Sequence, residues 1–189
     1  MTRAEPCTRA GGQYDGAGIS GRSREIAGEK EMSRFADYEI RPATPEDVEL
    51  LAPKLREIDQ KELRALGWHT PREGLEASLK LSVRAFTAVI EGEAGMMWGV
   101  CPWGGMLSLI GIPWMLAADI IERPDISREF VRQSKPYAKD IEMGFLRLGN
   151  LVHADNALAI RWLKWLGYSF MDMPETLKGE KFLRFWKEL

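Results

Sequence analysis

The sequence predicts a mixed α/β fold: a mostly antiparallel central sheet flanked by helices, in the order β-α-α-β-β-β-α-β-α-β-β. Three observations carry this expectation. From Tyr38 onward, short apolar segments of strand character alternate with longer ones whose apolar residues recur every three or four positions. Glycine, proline and asparagine separate these segments. The run from Ala94 to Ala118 carries no charge at all, as strands buried on both faces do.

The elements follow in order. "YEIRPAT" is a short strand ending in a turn. Thr44 caps a helix that has Pro45 at its first position and Glu46 and Asp47 in its first turn, where acids favour the positive end of the helix. Leu50, Leu51, Leu55 and Ile58 give that helix its apolar face, and "QKELRALG" adds a short helical piece ending at Gly67. "PREGLEASLKLS" is the next helix. "RAFTAVI", the turn "EGEAG" and "MMWGVCP" form a β-hairpin, and "GIPWMLAAD" a further apolar strand. "ISREFVRQSKPYAKDIEMGF" is helical, with Pro136 bending or interrupting it.

"FLRLGNLVHA" is again a strand. In the segment after it, Asn156 is placed to cap a helix, Ile160, Leu163 and Leu166 line one face, and Gly167 suits the left-handed position just past the end. Tyr168 and Phe170, two apart, begin another strand, and "EKFLRFWKEL" alternates as the last.

Composition narrows the function classes. The chain has 189 residues, 45% of them hydrophobic, so it holds a sizeable core. A net charge of -2 supplies no basic field to recruit nucleic acid. Cys7 and Cys101 are too few for a disulfide framework, and the Cys and His spacing does not suggest zinc, so no metal is expected and a reducing compartment is. Residues 1–34 are expected to form a disordered extension, leaving 35–189 as the folded domain; six glycines and almost no large apolar residue fall within the first 31 positions. Met32 is a candidate translation start. The uncharged run of 25 residues is long enough to cross a membrane, but its glycines, Pro102 and Pro113 punctuate strands better than one helix.

The element order, the opening "IRPATPEDVELL" and the segment "NALAIRWLKWLGYSF" resemble the GNAT superfamily of acyl-CoA-dependent N-acetyltransferases. Its Asn, the following Ala-Ile, and the closing Gly-aromatic pair fall on Asn156, Ala159-Ile160, Gly167 and Tyr168. "GIPWMLAAD", "SKPYAKD" and "IRWLKWLG" look closest to GNAT-like proteins of short-tailed bacteriophages, labelled acetyltransferase or internal virion proteins. The resemblance covers roughly residues 38–189 and implies acetyl-CoA as cofactor and an amine as acceptor. It implies a cytoplasmic setting, that of the bacterial host if phage-encoded, and virion or host proteins as further partners. A virion protein that has lost catalysis is the alternative.

The resemblance also implies site residues. The pantetheine arm lies in a split of the sheet, so Trp114, Met115, Leu116 and Ala117 on one strand, and Asn156 and Ile160 on the following helix, are expected against the cofactor. The backbone N–H of Leu116 or Ala117 would polarise the thioester. Asp119 and His153, at strand ends, are candidate bases. The family's general-acid tyrosine falls on Leu163 here, leaving Tyr168 or Tyr137 as the nearest phenols. The phosphate loop departs from the family: "IIERPDISREF" has no glycine, Glu122 and Asp125 would repel a pyrophosphate, and Arg123 and Arg128 offset them in part.

Overall fold

The computed structural model describes residues 38–189. The extension expected over 1–34, and with it the Met32 start, lies outside the described residues. The strands are β1 (Tyr38–Pro42), β2 (Arg84–Ile90), β3 (Glu93–Pro102), β4 (Ile110–Ala117), β5 (Arg147–His153), β6 (Ser169–Phe170), β7 (Glu175–Leu177) and β8 (Glu180–Glu188). The helices are α1 (Pro45–Leu51), α2 (Glu57–Leu66), α3 (Pro71–Leu81), α4 (Pro124–Glu142) and α5 (Ala157–Trp165). The strands form one sheet in the order β1-β2-β3-β4-β5-β8-β6, with β7 pairing β8 beside it. Every pair is antiparallel except β4 with β5.

The expected fold class is the observed one, with one more helix before β2 and one more short strand near the end. β7 escapes the sequence pattern because only Glu175–Leu177 pair, through a turn at Lys178-Gly179 onto β8. α4 continues through Pro136, which is exposed, so its ring disturbs no packing. Gly167 takes φ +87° just past α5, as its placement predicts.

The uncharged run is the β3–β4 hairpin, and among the described residues no helix is long and apolar enough to cross a membrane. Along its strands the lack of charge follows from burial on both faces. On one face Met96, Trp98 and Val100 of β3 join Phe130 and Ile141 of α4 and Leu163 of α5. On the other, Ala94 and Met97 join Val48 and Leu51 of α1 and Leu75 of α3. The tip of the hairpin is open: Met106 and Leu107 are 88% and 97% exposed.

Asp47 ties α1 to the sheet. Its carboxylate, 1% exposed, accepts two bonds from Arg41 (2.8 and 2.6 Å), one from the Thr44 N–H (2.9 Å) and one from Thr87 Oγ1 (2.8 Å). Burial pushes this carboxyl up, but the bonds from Arg41, Thr44 and Thr87 outweigh it and hold it below the ordinary range. The stability it contributes is therefore complete above its unfolded value, about 3.9, and is lost as pH falls through the lower folded one. Asp47→Ala should cost about 2–3 kcal/mol at pH 7 in urea unfolding and less than that below pH 3, with wild type itself weakening there.

Candidate functional site at the β4–β5 split

β4 and β5 pair only at Ile110–Arg147 and Gly111–Leu148, then diverge. Two residues fix the point of divergence. Pro113 has no N–H to give, and Asn150 reaches across with its side chain. Asn150 Nδ2 donates to Pro113 O (2.9 Å), while its Oδ1 accepts the Leu151 N–H (2.8 Å). Beyond this rung the strands run apart toward Ala117 and His153.

The start of α2 closes the far end of the split. Arg56, Asp59 and Glu62 are three residues apart and share one face of the helix. Arg56 N bonds Ala117 O at 2.9 Å. Asp59 Oδ2 accepts the Ala117 N–H at 2.9 Å, and both its oxygens hold the Arg56 guanidinium (2.8 and 3.1 Å). Asp59 and Arg56 are 0% and 2% exposed. Arg56 Nη1 also lies 3.6 Å from Glu122.

Glu62 spans to the other strand. Its Oε1 accepts the His153 N–H and Asn156 Nδ2, each at 3.0 Å. Its Oε2 takes no bond from the described residues, and the side chain keeps partial access to solvent. Burial and the neighbouring Asp59 charge raise its carboxyl to about 7, against the bonds from Asn156 and His153. A partly accessible carboxyl with a free oxygen and a pKa near neutrality is equipped to take a proton from a bound group.

One backbone donor faces the split. Ala118 N bonds Gly95 O, and Trp103 N bonds Ile110 O. In the register of β3 with β4, these bonds turn even-numbered β4 residues toward β3 and odd-numbered ones toward β5. The N–H of Leu116 thus belongs to β3 and that of Ala117 to Asp59, so neither expected donor is free. The N–H and C=O of Met115 face the split with no partner among the described residues.

The remaining predicted residues are spread over the fold. His153 and Asn156 stand together: Asn156 N bonds His153 O (2.9 Å), and both share Glu62. His153 is buried; Nδ1 accepts the Asp155 N–H (3.1 Å), which places the proton on Nε2 for donation to Glu180 (2.9 Å). Both its nitrogens are thus engaged. Asn156 Oδ1 accepts Ala159 N (3.3 Å), so its cap role is present and its amide is committed to Glu62. Ile160 packs against the core on the α4 side.

Asp119 is exposed and lines a shallow pocket with Lys54 and Glu93, which pair with each other. Trp114 points to the α3 side, where Nε1 donates to Ser82 Oγ (2.8 Å), and Met115 packs toward α4. Tyr168 is 7% exposed, edge-on to Phe185, and burial raises its hydroxyl pKa. It lies by Lys187, whose partner Leu148 is five residues, about 16 Å along β5, from His153. Tyr137 packs against Phe86 and Trp98.

The amino end of α4 already carries a carboxylate, Asp125, in its first turn. Pro124 lacks an N–H. The hydrogen-bonded Arg123 guanidinium holds the Asp125 carboxyl below the ordinary range. Ser127 N is bonded within the turn to Arg123 O (2.9 Å). Arg123 grips Asp125 (2.7 and 3.3 Å) and Glu91 (2.8 Å). Arg128 donates Nε to Pro124 O at 2.9 Å.

Sequence reasoning missed Arg56, Asp59 and Glu62 because charged residues on a helix are usually a solvated face. The available signal was their spacing of three on a helix with few apolar residues.

Solved structures match this chain across most of its length. A GCN5-related N-acetyltransferase from Kribbella flavida has a TM-score of 0.58 and 17% identity, covering 80% of this chain and 98% of its own. The chain has the GNAT fold. A ribosomal-protein-alanine N-acetyltransferase from Brucella melitensis (TM-score 0.57, 17% identity) shares this GNAT fold over 80% of the present chain and 99% of its own. The Salmonella typhimurium protein yncA, solved with its cofactor acetyl-CoA, does so with a TM-score of 0.53 and 13% identity, over 80% and 93%. No protein-family model matches the sequence, and no curated protein matches it. In the frame of the GNAT fold, the β4–β5 divergence described above is the one parallel junction among the described strands.

Proposed function

We propose that this protein transfers an acyl group from a thioester to an amine, with Glu62 as the general base. The observation that carries the reading is the Glu62 carboxyl, near neutrality, with Oε2 free beside the split. An incoming ammonium group loses its proton to Oε2 and becomes the nucleophile. The Met115 N–H is the donor available to the oxyanion that develops as the nitrogen adds. Collapse of the adduct breaks the C–S bond, the thiolate leaves and takes up the proton the nitrogen still has to lose, and Glu62 returns its own proton to solvent. Asn156 and the His153 N–H fix the carboxylate from behind, and the Arg56–Asp59 pair keeps α2 on β4. Acetyl-CoA, the cofactor in the yncA structure, would supply the activated acyl group. The split suits an amide-bearing arm at the Met115 C=O, whereas the acidic end of α4 does not suit its phosphates.

A second reading is favoured by that acidic end: a GNAT fold without catalysis, serving as a phage internal virion or assembly protein. The two separate in one assay. Purified protein is incubated with acetyl-CoA and a panel of primary amines, including N-terminal peptides, and free thiol is followed. Amine-dependent thiol release with matching acetylated product is the expected result. Hydrolysis or silence across the panel would favour the virion-protein reading.

A further inference from the structure

We infer that the acyl donor selected by this chain is a pantetheine-type thioester recognised without its nucleoside diphosphate end. This rests on the acyl-transfer reading above and names its donor class.

A diphosphate needs unoccupied N–H donors and cations it can reach. At the amino end of α4 the first turn already carries the Asp125 carboxylate, and Pro124 has no N–H to offer. The Arg123 guanidinium holds two carboxylates, Asp125 on one edge and Glu91 on the other, at 2.7 to 3.3 Å. Arg56, the next cation, is buried on Asp59, and its outer nitrogen meets Glu122 at 3.6 Å. Arg128 alone of the predicted phosphate ligands meets no carboxylate here, and its Nε is bonded to Pro124 O. A diphosphate arriving there would compete with Asp125 and Glu91 for Arg123, and would lie beside Glu91, Glu122 and Asp125. A donor end without that charge meets none of this. The unpartnered C=O of Met115 still offers an acceptor to an amide N–H of an extended arm, while its N–H stays with the oxyanion.

The test compares CoA, pantetheine and adenosine 3′,5′-diphosphate by titration calorimetry on the full chain, and acetyl-CoA with S-acetylpantetheine in the thiol assay. The expected result is CoA and pantetheine binding within about threefold of each other, with no binding by the adenosine diphosphate at the same concentration. The two thioesters should then have similar kcat/KM, and CoA affinity should change little between low and high salt. Asp125→Asn should tighten CoA binding at low salt and leave pantetheine unchanged. CoA binding more than about tenfold tighter than pantetheine in the wild-type chain would overturn the donor assignment while leaving acyl transfer standing. Binding of neither thiol, with neither thioester used, would overturn both.

Discussion

Glu62→Gln is expected to lower amine-dependent thiol release by a hundredfold or more while the fold stays intact. General-base catalysis contributes about 10²–10⁴-fold, so losing the base removes about that much. Glutamine keeps an oxygen for the His153 N–H and for Asn156 Nδ2, so the local bonds survive. The pH profile is the sharper measurement. Wild-type activity should rise with pH through about 7, as Glu62 ionises. The variant should lack that limb. Stability moves the opposite way. The folded Glu62 binds its proton more tightly than the unfolded chain does, so wild type loses stability as pH rises from about 4.5 toward about 7. Glu62→Gln should therefore be at least as stable as wild type at pH 8. A variant with unchanged rate and an unchanged pH limb would exclude Glu62 as the base.

Asp59→Ala carries the largest expected cost in stability, about 3–5 kcal/mol, because it strands a buried guanidinium. Arg56 is 2% exposed and its close carboxylate partner is Asp59, Glu122 lying farther off at 3.6 Å. The same change leaves the buried Ala117 N–H without an acceptor. Chemical unfolding at pH 7 measures it. The double variant Arg56→Met with Asp59→Leu should lose much less, because no charge remains buried. A loss under about 1 kcal/mol for Asp59→Ala would mean that water reaches Arg56 and takes over its solvation.

The sequence revealed most of the elements because their signals are local. Thr44-Pro45 before α1, Gly67 after α2 and Gly167 after α5 each act within one turn. The uncharged run revealed two buried strands for a similar reason: burial on both faces leaves no room for charge. The site was legible only in part. His153 and Asn156 are three apart in the chain and adjacent in space, so one motif finds both. Glu62 meets them from 91 and 94 positions away. No periodicity within α2 says which strand end its charged face will meet. The fates of Leu116 and Ala117 were equally hidden, since the direction of a strand N–H depends on the phase of pairing with β3. The arginines of "IIERPDISREF" were legible as cations, but Glu91, which takes part of Arg123, comes from a different turn of the sheet.

The Asn150 rung bears on how a guest molecule would enter. In most sheets, opening a gap between neighbouring strands means unzipping peptide bonds to one another, and the guest must make good that loss. Here the zipper ends of its own accord, at a proline with nothing to donate and an asparagine whose side chain terminates the ladder. The fork is preformed and its depth is set by two side chains. Whatever enters between β4 and β5 finds the strands already parted, so its affinity is not diminished by prying them open.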